Sequence, residues 1–263
     1  MTAKAEMTFG VRGGLAPVHP VKIYEDDDGL AEAVAGFVAE GVRLGETVVV
    51  VSTPGHWKAF ADRLRNLGID PDDGAKAGQL TFLDARATLS RFMTAEAPDR
   101  ARFEEVIIKA MDAASAWRPQ APLRAYGEMV DLLWQEGRLE AAMRLEACWQ
   151  GLMRKRPFSL MCGYKVSVLD KFEDAAALER ICACHTALIP AFDPARLEAA
   201  VDRAIEAELG GARAGLLRPL IAANVPPAGL GPAERGILWV RKNFPDEAQS
   251  ILERARRIYE RGA

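Results

Sequence analysis

Residues 47–52 read TVVVVS, and this run constrains the fold more than any other stretch. A strand with one wet face alternates apolar and polar residues, and four successive valines leave no polar face. The run is far too short to span a bilayer. It therefore reads as a strand covered on both sides, the situation of a parallel sheet lying between helices.

The flanking sequence repeats the same alternation. Strands are expected at 19–24 (HPVKIY), 79–85 (QLTFLDA), 123–130 (LRAYGEMV, running into a helix) and 157–164 (PFSLMCGY). Between the first two, Leu30, Val34, Phe37, Val38 and Val42 recur at helical spacing behind Asp27 or Asp28 as cap. Trp57, Phe60, Ala61 and Leu64 mark a second helix, ended by Gly68. A helical stretch over 86–116 is broken near Pro98, and Leu139, Ala142, Leu145, Trp149 and Leu152 line another helix. The fold class expected is α/β, a mainly parallel sheet sandwiched by helices.

The character changes near Lys171. Helices are expected at 173–188, 194–217, 233–243 and 246–261, with no strand, punctuated by prolines 190, 194, 226, 227, 232 and 245. The stretch 223–232 (ANVPPAGLGP) reads as a linker or ordered turn. The organisation expected is an α/β domain over 16–170 and an all-helical C-terminal region over 171–263, suited to partner docking or dimerisation.

A net charge of −3 with interspersed signs gives no basic stripe for nucleic acid. Four irregularly placed cysteines suggest reduced thiols, and residues 1–14 lack the apolar core of a signal peptide. The expectation is a soluble cytoplasmic protein with no membrane partner and no direct nucleic-acid partner.

Ligands of such sheets bind at the carboxyl ends of the strands. Those ends place Tyr24 and Glu25, Ser52 and Thr53, Asp84, Gly127 and Glu128, and Gly163 and Tyr164 at the crevice. The turn after TVVVVS has the layout of a phosphate-binding P-loop. Aligning Lys58 with the P-loop lysine puts Ser52 and Trp57 on the two glycines and Ala59 on the magnesium-binding hydroxyl. Only the lysine survives, so ATP hydrolysis with magnesium is not expected. Lys58 reads equally well as a solvated helix residue. A helix start still offers amide donors to a small polar ligand. Glu128, Asp131 and Trp134 share a helix face, and Gly127 would allow a tight strand exit. Glu128 or Asp131 could instead cap its own helix. Glu146 falls on a largely apolar helix face, where a carboxylate pairs with a base, such as Arg124 or Arg144, or binds something.

His19 with the following IY, GETVVVVSTPGH at 45–56, GQLTFLDA at 78–85, RAYGEMVDLLW at 124–134, RLEAAMRLEACW at 138–149 and FSLMCGY at 158–164 occur in order. Together they resemble the MEDS sensory domain family, named for methanogens, methylotrophs and a dichloromethane-responsive repressor. The resemblance covers residues 16–170. It implies a derived RecA/KaiC-like fold with a degenerate P-loop. It also implies a sensory role toward small hydrocarbon-derived molecules, in company with histidine kinases or transcription regulators.

The cysteines and histidines offer further candidates. In CACHTALIP (182–190), Cys182 and His185 share a helix face but Cys184 points away, and no second pair stands at zinc spacing, so no metal is expected. His185 with a proline five residues on offers a candidate phosphoacceptor, but Thr186 replaces the expected acid. A helix-packing histidine is the simpler reading. His19, at the start of its strand, reads as structural, while His56 lies nearer the crevice.

The expected function is therefore a non-enzymatic sensor or signalling regulator. It would bind a small molecule through Tyr24, Ser52, Thr53, His56, Glu128, Asp131 and Tyr164 and relay the event through the helical region to a partner protein. The alternatives are phosphotransfer or kinase docking through His185, and an enzyme using Glu128 as general base. The cofactor and the oligomeric state, a homodimer included, stay open.

Overall fold

The computed structural model describes residues 17–166, 175–189, 193–223 and 232–261. Six strands form one sheet in the order β3-β2-β4-β5-β1-β6. They are β1 (Pro20–Tyr24), β2 (Thr47–Ser52), β3 (Leu80–Asp84), β4 (Leu123–Gly127), β5 (Ser159–Lys165) and β6 (Ala187–Ile189). The sheet is parallel throughout, so the α/β expectation holds. Every residue of β2 is buried, as its four valines require. Val51 of β2 pairs in register with Gly127 of β4, and Ser52 with Asp84 of β3.

Several helices begin where the sequence supplies caps. α1 spans Asp27–Arg43 and carries Asp27 and Asp28 in its first turn. α2 (Pro54–Asn66) starts behind Thr53, whose side chain accepts the His56 amide, with Pro54 in the first turn where its missing N–H costs nothing. Gly68, at φ 76°, follows its end. A short helix α3 (Pro71–Lys76), which the periodicity did not reveal, is capped by Asp70. The stretch expected to break near Pro98 divides into α4 (Ala85–Ser90) and α5 (Arg100–Ser115), capped by Asp84 and Asp99. α6 (Met129–Gln135) and α7 (Leu139–Lys155) complete the covering of this part of the sheet.

The chain divides into two compact units. One holds Asp27–Cys162 together with the residues up to His19. Edge-to-face rings pack its core, Phe60 of α2 on Tyr126 of β4, and Phe103 of α5 on Trp149 of α7. Toward the start of β4, Arg124 is fully buried. Its Nε donates to Glu46 at 2.5 Å and its Nη1 donates to Glu40 at 2.8 Å and to the Phe37 carbonyl at 3.0 Å. The guanidinium also lies 4.6 Å from the Phe37 ring centre. Gly41 makes room for it, since a Cβ there would stand 2.8 Å from Arg124 Cδ.

The second unit holds Pro20–Asp26 and Gly163–Ala263. Its described helices are α8 (Ala175–Ala183), α9 (Pro194–Leu209), α10 (Gly211–Ala223), α11 (Pro232–Asn243) and α12 (Pro245–Arg261). Within it, α12 packs on α9, and Leu197, Ile205, Ile251 and Leu252 are buried.

Three expectations are corrected here. The helix expected at 173–188 ends at Ala183, and β6 follows where no strand was expected. Ala187, Leu188 and Ile189 pair in parallel with Pro20, Val21 and Lys22 of β1, and that pairing wins over helical periodicity. The helix expected at 194–217 divides at Gly210, whose φ of 80° suits glycine and ends α9. Gly127 has no positive φ, and a Cβ on it would meet Trp149 and Leu160 at ordinary contact distance, so strand exit does not demand glycine there. Among the described residues no helix is long and apolar enough to cross a membrane. The N-terminal segment 1–14, the prolines at 190, 226 and 227 and most of the 223–232 turn lie outside the described residues.

Candidate functional site

The adjacent pairing of β2 and β4 decides where chemistry gathers in the first unit. β2 ends at Ser52 and hands over to Thr53, in extended conformation at φ −67° and ψ 153°. β4 ends at Gly127 and hands over to Glu128, whose amide donates to the Val51 carbonyl at 3.1 Å. Glu128 therefore stands beside the turn that starts α2.

Its carboxylate, 1% exposed, joins the two loops. Oε1 accepts the Thr53 amide at 2.5 Å, and Oε2 lies 2.8 Å from His56 Nδ1. Glu128 is thus not the cap of its own helix, which lacks a side-chain cap bond. It plays across strands the part that a capping-box acid plays within one helix, holding the N-cap amide of α2. A negative group there also complements the helix dipole.

His56 is enclosed by acids. Its Nε2 lies 3.7 Å from Asp27 Oδ1, so each ring nitrogen faces a carboxylate. The hydrogen bond to Glu128 raises its pKa above the usual imidazole value. Burial opposes this, and the charges of Glu128, Asp27 and Asp131 reinforce it. Asp131, 1% exposed, lies one turn into α6 and accepts Gln135 Nε2 at 2.6 Å. Ser52 Oγ donates to the Thr53 carbonyl at 3.3 Å. The structure thus joins Ser52, Thr53, His56 and Glu128, with Asp131 close enough to act on His56 through charge.

Other strand-end residues have structural employment. Asp84 caps α4 by accepting the Ala87 amide at 2.8 Å. The Lys58 side chain is 82% exposed and pairs with Asp62 at 3.5 Å, the solvated reading of that lysine. Trp57 stacks on Phe82 at 5.1 Å.

Tyr24 and Tyr164 belong to the second unit and are buried. Lys165 Nζ lies 5.9 Å from the Tyr24 ring centre, and Tyr164 meets the His185 ring edge-on at 6.4 Å. Glu25 accepts both Arg256 guanidinium nitrogens at 3.2 Å. His185 stands in the turn after α8, not on a helical hairpin, and its Nδ1 donates to the Ile181 carbonyl at 2.7 Å.

One constellation was missed by the sequence reading. His19 precedes β1, Glu146 lies on α7 and Cys162 lies on β5, all three in the first unit and all buried. His19 Nε2 is 3.5 Å from Cys162 Sγ and 3.7 Å from Glu146 Oε2, and Sγ lies 4.0 Å from that oxygen. Glu146 therefore meets His19 and Cys162, and Arg124 is engaged by Glu46 and Glu40. These three side chains offer one donor each and could hold a metal ion. Neither Cys182 nor Cys184 belongs to such a group among the described residues. No short-range spacing announces the set, because His19 and Cys162 are 143 positions apart. The one signal was Glu146, a carboxylate on an apolar helix face.

A family model described as "MEDS: MEthanogen/methylotroph, DcmR Sensory domain" matches residues 18–186. No curated protein matches the chain.

Proposed function

We propose that this chain, which belongs to the MEDS sensory domain family, works as a non-enzymatic sensor whose input site lies at the carboxyl ends of β2 and β4. The family points to a sensing or signalling role, and the finer assignment rests on Glu128. Its carboxylate already occupies the amide at the start of α2, where a nucleotide phosphate would have to bind. Two anions cannot share that amide without a large electrostatic cost. Trp57 and Ala59 at the remaining P-loop positions point the same way. Both oxygens of Glu128 are engaged, which makes it a poor general base and a good latch.

A small polar or polarisable molecule would compete for the Thr53 amide or the His56 ring, open the Glu128 bridge and loosen the β2–α2 turn. The ligand-contacting residues of this reading are those of the first unit, Ser52, Thr53, His56, Glu128 and Asp131. The helical C-terminal region would carry the change to a partner such as a kinase or a transcription regulator.

The test is native mass spectrometry of the full chain, followed by thermal melting with short hydrocarbon-derived alcohols, acids and halides. The reading expects a bound mass released on denaturation, or a rise in melting temperature, and a larger ligand response in Glu128→Gln, whose neutral amide competes less well for the Thr53 amide and the His56 ring. Steady ATP hydrolysis with magnesium, abolished by Lys58→Ala, would overturn it.

A further inference from the structure

We infer that His19, Glu146 and Cys162 form a binding site for a Zn²⁺-class metal ion, independent of the small-molecule reading above. The three donor atoms form a triangle with edges of 3.5, 3.7 and 4.0 Å. The nitrogen–oxygen edge exceeds the 2.7–3.2 Å or so of a normal hydrogen bond. Ligands around one tetrahedral ion, with bonds of about 2.0–2.3 Å, stand roughly 3.3–3.6 Å apart. The triangle is within a few tenths of an ångström of that geometry, and a small inward shift of Glu146 Oε2, which both long edges share, completes it.

The chemistry of the set agrees. An imidazole, a thiol and a carboxylate together suit a borderline ion, whereas magnesium and calcium seek oxygen alone. Burial agrees as well. Glu146 and Cys162 are fully buried and His19 is 4% exposed. Binding would remove the Cys162 proton to solvent and leave the thiolate as ligand. The site ties the entry to β1, the apolar face of α7 and β5 into one unit, so metal occupancy would stabilise the first unit as a whole.

The experiment takes the full chain, stripped with a chelator, and titrates it with Co²⁺ and then Zn²⁺. One equivalent of Co²⁺ should give tetrahedral ligand-field bands and a thiolate-to-cobalt charge-transfer band, and Zn²⁺ should displace it. Cys162→Ser should abolish the charge-transfer band, and Cys148→Ser should keep it. His19→Gln and Glu146→Gln should each weaken Zn²⁺ binding by about tenfold to a hundredfold or more. Zn²⁺ binding to the unmodified chain should also release about one thiol proton near neutral pH, a readout that needs no variant to fold. Absence of a stoichiometric cobalt spectrum in the unmodified chain, or a charge-transfer band that survives Cys162→Ser, would overturn the site.

Discussion

His56 shows how a single side chain can carry the state of the candidate site. Its raised pKa arises first from the hydrogen bond to Glu128. The unfolded chain would titrate this group near 6.5 or so. The stabilisation is therefore fully present below that value and is lost as pH rises through the higher folded value. Melting temperature against pH should show this loss in the native chain and a flatter profile in His56→Gln. An imidazole resonance titrating at or below the ordinary value would contradict the assignment. Thr53 makes a smaller, separate contribution. Its hydroxyl accepts the His56 amide at a long 3.4 Å, so Thr53→Ala should cost about 0.5–1 kcal/mol by urea denaturation, the low end for an N-cap.

Helix α1 offers a paired prediction of opposite sign. Gly36 has nothing within 4 Å of a built Cβ, so Gly36→Ala should stabilise by roughly 0.5–1 kcal/mol through helix propensity. Gly41 lies against the buried Arg124, with its added Cβ 2.8 Å from Cδ and 2.9 Å from Nε. That guanidinium is held by Glu40, Glu46 and the Phe37 carbonyl and has little freedom to move aside. Gly41→Ala should therefore destabilise by about 1–3 kcal/mol. Equal effects from the two substitutions would show that Arg124 is not locked in place. Helix α2 repeats the lesson at its start, where Thr53 and Pro54 begin it locally and Glu128, from another strand, completes its capping.

At the scale of the molecule, two compact units invite separate tests of cooperativity. In the second, Leu252 is 1% exposed on α12, the helix that packs on α9. Leu252→Ala should cost about 2–5 kcal/mol within that unit. Hydrogen exchange should then reveal lost protection in α9 and α12 and retained protection in β2 and β4. Uniform loss over both sets of elements would show one cooperative unit in place of two.

Much of this architecture was legible locally. TVVVVS could be nothing but a doubly covered strand, and Gly68 marks the end of α2 from the sequence itself. The heptad-like spacing in α7 likewise reflects only its own neighbours. What the sequence could not contain was any relation between distant residues. β6 exists because β1 offers an open parallel edge to residues 187–189, which by themselves read as helix. The Glu128 bridge to Thr53 and His56 depends on β2 and β4 being neighbours in the sheet. His19, Glu146 and Cys162 are unremarkable where they stand in the chain and become a donor set only when strands and helix converge. Propensity and capping are short-range energies written residue by residue. Sheet order and side-chain convergence are long-range, and only the tertiary structure decides them.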